Sequence, residues 1–87
     1  MKIKDGFVKR NIAGSNIVVP VGKGAKSFNA MITLNDSAAF FWDCFQKDIS
    51  IDECAELVCK EYDVDKDRAK ADIEAFTAML KENNLIE

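Results

Sequence analysis

The sequence predicts an α+β domain of order β-β-β-α-α-α: a three-stranded antiparallel sheet followed by three helices, in the manner of a winged helix-turn-helix. Three observations predict it. Apolar residues alternate with a period of two up to Asn35 and recur at helical spacing beyond it. Strands and helices are segregated along the chain rather than interleaved, which is the pattern of an α+β fold. Each helical stretch is also opened by a good capping residue.

The elements follow in order. Residues 7–12, FVKRNI, read as a first strand. The stretch AGSN over residues 13–16 is rich in turn formers, and the β-branched run at 17–21 reads as the second strand of a hairpin. Pro20 cannot donate to a ladder, so it marks a strand end, a bulge or an outer edge. GKGAKS at 22–27 reads as a flexible loop; Ala25 before the Lys-Ser and a following strand, not a helix, exclude a Walker phosphate loop. Residues 28–35, FNAMITLN, form the third strand, with Ile32 and Leu34 on one face and Met31 and Thr33 on the other.

Asn35, Asp36 and Ser37 are all suited to cap the first helix, which runs to about Gln46. It holds Phe40, Phe41, Trp42 and Phe45, half of the eight aromatics in the chain. Phe41 and Phe45 at i, i+4, with Ala38 a turn earlier, read as a core stripe that Trp42 widens, with Phe40 at its partly exposed margin. Ser50 and Glu53 form a capping box for the second helix. Its apolar stripe is Ile51, Ala55, Val58 and Tyr62, flanked by Cys54 and Leu57. Asp65 caps the third helix, which carries Ala69, Ile73, Phe76 and Leu80 on one stripe and Ala71, Ala75 and Ala78 beside Met79 on a flank. Asn83 and Asn84 suit a helix C-terminus, after which Leu85 and Ile86 fold back as an apolar clamp.

Composition bounds the function. At 87 residues, 48% hydrophobic and 31% charged, the chain reads as one domain over residues 1–87 that must spend its large apolar side chains on a core. No apolar run is long enough to span a membrane, and no apolar stretch follows the first lysines as in a signal peptide, so a cytoplasmic location is expected. There is no histidine, which removes the commonest general base and metal ligand and every Ser–His or Cys–His pairing. The three cysteines, Cys44, Cys54 and Cys59, show no CxxC spacing and read as small buried hydrophobes. The alternate aspartates of DVDKD at 63–67 lack the central Gly and closing Glu of a calcium loop. No cofactor, metal site or catalytic residue is expected.

The net charge of −3 is split: residues 1–35 carry six Lys/Arg and one Asp, whereas residues 36–87 carry six Lys/Arg and fourteen Asp/Glu. An acidic helical half is a poor footprint for nucleic acid. A binding role survives this pruning. The third strand has no charge between Asn29 and Asn35, and an uncharged edge can accept an added strand from an extended peptide. The small residues on the third helix leave room for a guest, or simply let that helix pack closely.

Taken together, LNDSAAFFWDCF, SIDECAELV, EYDVDKDRAKADIEAFTAML and the final NNLI resemble the PqqD-like family, named for pyrroloquinoline-quinone biosynthesis protein D. Leu34 and Asn35 stand before the first helix, Trp42 lies in it and Ser50 caps the second. Tyr62, Val64 and Asp65 lead to the third, which carries the buried-looking Asp-aliphatic pair Asp72 and Ile73, and Leu85 and Ile86 form the tail. The preceding strand region is similar too, so the likeness covers nearly the whole chain. Ala38, Lys47 and Asn84 stand where many members carry Gly.

The resemblance implies a winged-helix-like, non-catalytic recognition domain. It would bind the leader of a ribosomally made precursor peptide as an added strand, between the third strand and the third helix. It would then present that peptide to a modifying enzyme, often a radical S-adenosylmethionine enzyme. The expected peptide-binding residues are Phe28, Ala30, Met31, Thr33, Asp72, Ala75 and Met79, with the backbone of 28–34 supplying the strand pairing. Two other classes stand beside this one: a winged-helix DNA-binding regulator, which needs a basic recognition helix, and a structural subunit that forms a homodimer through the edge strand.

Overall fold

A computed structural model of the chain describes residues 1–22 and 31–87. Strands β1 (Phe7–Ile12), β2 (Ser15–Pro20) and β3 (Ile32–Leu34) are followed by helices α1 (Asp36–Cys44), α2 (Ile51–Glu61) and α3 (Lys66–Glu82). The sheet is antiparallel in the order β1-β2-β3. The α+β order is the one expected.

β1 and β2 are joined by two residues, Ala13 at φ 52° and Gly14 at φ 85°. Positive φ at both positions is the mark of a type I′ turn, whose twist matches that of the flanking strands. So tight a turn lets β2 begin at Ser15, earlier than the β-branched run alone suggests. It also fixes the hydrogen-bond phase of the whole sheet. Ile12 and Ser15 flank the turn and form a hydrogen-bonded pair, and such pairs alternate with non-bonded ones along the ladder. Two pairs further on, past Arg10–Ile17, come Val8–Val19 and then the 2.8 Å bond from the Val21 N–H to the Gly6 carbonyl, in the same phase. Ser15, Ile17 and Val19 therefore spend their backbone groups on β1, and Asn16 and Val18 turn theirs to β3. Pro20 falls opposite Phe7 at a non-bonded position, so its missing N–H costs the β1–β2 ladder nothing.

β3 pairs Ile32 with Val18, Thr33 with Ile17 and Leu34 with Asn16. It is shorter than expected: residues 28–30 lie outside the described residues, as does most of the expected 22–27 loop, and Met31 is 67% exposed and outside the strand. The strand ends where Asn35 caps α1, its side chain accepting the Ala38 N–H at 2.8 Å and its carbonyl the Ala39 N–H. α1 ends at Cys44, short of Gln46, because its last turn tightens: the Phe45 N–H is shared by the Asp43 and Phe41 carbonyls. The Gln46 side-chain amide then donates back to the Trp42 carbonyl.

The helices cover one face of the sheet. Phe7, Val18 and Leu34 meet Phe41, Trp42 and Phe45 of the α1 region, Cys54, Ala55 and Val58 of α2, and Ala69, Ile73, Phe76 and Leu80 of α3 in one buried cluster. The stripes expected on α1 and α3 are the buried ones. On α2 the stripe is displaced: Leu57 and Tyr62 are exposed, and the core takes Cys54 instead. Both expected caps form, the Ser50–Glu53 box and the Asp65 side chain on the Arg68 N–H. At the end of α3, Asn84 adopts φ 58°, and the Leu85 N–H reaches the Leu80 carbonyl while the Asn84 N–H reaches that of Lys81, a Schellman motif. This reversal buries Leu85 and Ile86 against Ile3, which pairs with Ile86 in an isolated bridge.

Candidate functional site

The sheet phase leaves one backbone unit of β3 aimed outward. Ile32 and Leu34 exchange hydrogen bonds with Val18 and Asn16, so Thr33, opposite Ile17, directs its N–H and C=O away from β2. No described residue lies on that side of β3 in the sheet. The Thr33 side chain projects to the face away from the helices and is exposed.

Beside the end of β3, α1 and α3 part to form a groove of about 400 Å³ lined by Asn35, Ser37, Ala38, Phe41, Asp72, Ala75 and Phe76. The local reasons are short-range. The Asn35 cap starts α1 immediately after Leu34, which sets Ala38 and Phe41 on one flank. Asp72, Ala75 and Phe76 fall at i, i+3 and i+4 on α3 and form the other. Ala75 has no side chain beyond Cβ, so the groove stays open above the rings. Its floor is the core itself: Phe41 and Phe76 are 4% and 7% exposed and meet edge to face. Asn35, Ser37 and Asp72 make a polar rim.

Past that rim a second cavity of about 430 Å³ is lined by Ser37, Asp63, Val64, Asp65, Arg68 and Asp72. Ser37 and Asp72 line both. Arg68 lies 3.7 Å from the Asp72 carboxylate. Of the Asp72–Ile73 pair only Ile73 is buried; the Asp72 side chain is 56% exposed.

Of the expected binding residues, the groove brings together Asp72 and Ala75. Thr33 does not line it; its backbone faces outward on the edge of β3, two residues before the rim residue Asn35. Met79 is half-buried against the core and does not line the groove. Phe28 and Ala30 lie outside the described residues. Asn35, Ser37, Ala38, Phe41 and Phe76 join the lining beyond the expected set.

The groups whose proton affinity is shifted lie elsewhere. Burial raises the Cys54 thiol to about 12, with the neighbouring Cys44 thiol adding to the effect, and burial raises Cys44 as well. Asp52 and Lys70 form a surface ion pair at 3.0 Å that lowers the carboxyl and raises the ammonium. Among the described residues no buried side-chain N or O lacks a partner, and no three His, Cys, Asp or Glu converge as metal ligands would. No helix among them is long and apolar enough to cross a membrane. An apolar-floored groove beside an outward-facing backbone unit suits the binding of an extended chain.

A family model for coenzyme PQQ synthesis protein D matches residues 16–86. Two solved structures are similar in fold. TbiB1 in complex with the TbiA(beta) leader peptide superposes with a TM-score of 0.77 at 23% identity, over 100% of this chain and 95% of that one. Lasso peptide synthetase B1 complexed with the leader peptide gives 0.75 at 22% identity, over 99% and 95%. No curated protein matches the chain.

Proposed function

The chain belongs to the PqqD family, and on that premise we propose that it is a non-catalytic module that captures the leader segment of a ribosomally made precursor peptide and presents it to a modifying enzyme, of the radical S-adenosylmethionine class. The observation that carries this reading is the outward-facing Thr33 backbone next to the groove between α1 and α3. The leader adds as a strand to β3, and its side chains enter the groove. Met31, Thr33, Asp72 and Ala75 are the described residues assigned to this surface, with Phe28 and Ala30 assigned from the sequence; Met79, packed against the core, is not.

The complexes with leader peptides named above support the reading by analogy of fold. The charge on α3 opposes the DNA-binding alternative. Lys66, Arg68 and Lys70 are each ion-paired, to Glu56, Asp72 and Asp52, so little free positive charge is left for phosphates. The test is a titration of the 15N-labelled chain with the leader of a precursor peptide encoded nearby. Amide shifts at Thr33, Ala38, Asp72 and Ala75 are expected. Shifts confined to β1 and α2 would overturn the assignment.

A further inference from the structure

We infer that the groove selects an extended segment whose apolar side chains recur at i and i+2, held in register by a single two-bond pairing with Thr33. The inference rests on the strand-addition reading above and specifies its ligand.

The argument is one of phase. The type I′ turn at Ala13–Gly14 sets which residues of β2 face β3, and this in turn sets Thr33 as the unit of β3 that faces outward. A guest strand that adds antiparallel, as the other strands of the sheet pair, therefore places one residue opposite Thr33, exchanging both backbone bonds with it. Side chains of directly opposed residues share a face, so that central guest residue projects with the Thr33 side chain to the solvent side. Its two neighbours project to the helix side, one beside Leu34 and one beside Ile32. Leu34 is buried and immediately precedes Asn35 on the rim of the groove over Phe41 and Phe76; Ile32 is half-buried against the core. Both neighbouring positions thus meet apolar surface, and the position between them meets water. A guest with leucines at i and i+3 puts one of them on the solvent side. A helical guest satisfies its own backbone and leaves the Thr33 groups unused.

The phase also singles out a diagnostic substitution. Thr33→Pro deletes the outward N–H without removing a bond to β2, and proline is tolerated on an edge strand when its nitrogen faces outward.

The test measures fluorescence anisotropy of the full chain with labelled synthetic peptides of one composition. One carries leucines at i and i+2, one carries them at i and i+3, and a third is the first with its central residue N-methylated. The i, i+2 peptide is expected to bind at least about tenfold more tightly than the i, i+3 peptide, the effect of one well-buried leucine. N-methylation and Thr33→Pro should each weaken it by about tenfold, the contribution of one strand bond in an apolar setting. Equal binding of the two leucine patterns, or unchanged binding of the N-methylated peptide, overturns the register even if Thr33→Pro fails to fold. The natural leader serves as the control. If it binds and the leucine pattern makes no difference, the register is wrong and strand capture stands. If it also fails to bind, the capture reading falls with it.

Discussion

Phe41 on α1 and Phe76 on α3 meet edge to face, with ring centroids 5.7 Å apart and planes inclined at 63°. This contact is both the floor of the groove and a joint of the core, so the two functions cannot be separated by mutating either ring. Phe76→Ala is expected to cost about 3–5 kcal/mol of stability and to lose binding with it. Ala75 offers the separation, because it is exposed on the groove wall. Ala75→Leu should fill the space above the rings and weaken leader binding by more than about tenfold. Its melting temperature should stay within about 2 °C of the parent's, since exposed helical Ala and Leu differ little in propensity. Anisotropy and a thermal melt on the same sample check both halves.

Asn35 joins β3 to α1, and its side chain holds the first turn of α1 at the groove rim. Removing that acceptor with Asn35→Ala should cost about 1 kcal/mol. It should also weaken leader binding, because Ser37 and Ala38 lose their fixed start. Asn35→Asp keeps the acceptor and adds an anion at the positive end of the helix, so its stability should match or exceed the parent's. Ser50→Ala removes the equivalent acceptor on α2 and should cost a similar amount, but leave binding unchanged. Urea midpoints together with peptide affinities separate the groove cap from the distant one.

Much of this architecture was legible because it is encoded locally. The caps Asn35, Ser50 and Asp65, the β1 span and the Asn84 reversal each depend on a few adjacent residues. The phase of the sheet needed the turn type. AGSN signals a turn, but the positive φ of Ala13 and Gly14 decides which edge Thr33 faces. The groove was half legible. The small flank of α3 pointed to Ala75, while Phe41 and Phe76 looked like ordinary core, because helical periodicity reports which face is apolar and not where two helices part. Leu57 illustrates the same limit: its spacing fits the α2 stripe, yet it is 44% exposed at the stripe's edge. The bridge from Ile3 to Ile86 had no local signal at all, since its partners lie at opposite ends of the chain.

Ala13 carries a side chain at φ 52°, a conformation that costs an L-residue about 1 kcal/mol. Ala13→Gly relieves that strain, and the added freedom of the unfolded chain offsets part of the gain. The melting temperature should rise by a few degrees, given about 4–8 °C per kcal/mol in domains of this size. Asn84 sits at φ 58° but behaves differently. Its side-chain carbonyl accepts the Lys4 ammonium at 2.7 Å, and asparagine tolerates this region. Asn84→Gly should therefore be close to neutral. Melts of the two variants side by side test whether the strain lies in the turn.

Cys54 is fully buried beside Cys44, and burial raises its thiol to about 12. In the unfolded chain a cysteine ionises near 8.5. Below that value both states hold the proton and the stabilising difference is fully present. As the pH rises past it, the unfolded chain releases the proton first, so stability falls until the native thiol also ionises near 12. One such group contributes a slope of at most about 1.4 kcal/mol per pH unit. Cys54→Ala should be somewhat less stable at pH 7, where it leaves a small void, and its urea midpoint should fall less steeply between about pH 9 and 11. Parallel slopes in the parent and the variant would show that the Cys54 proton is not retained by the fold. In the native parent, Cys54 should resist alkylation until urea unfolds the chain, because the thiolate is the reactive form.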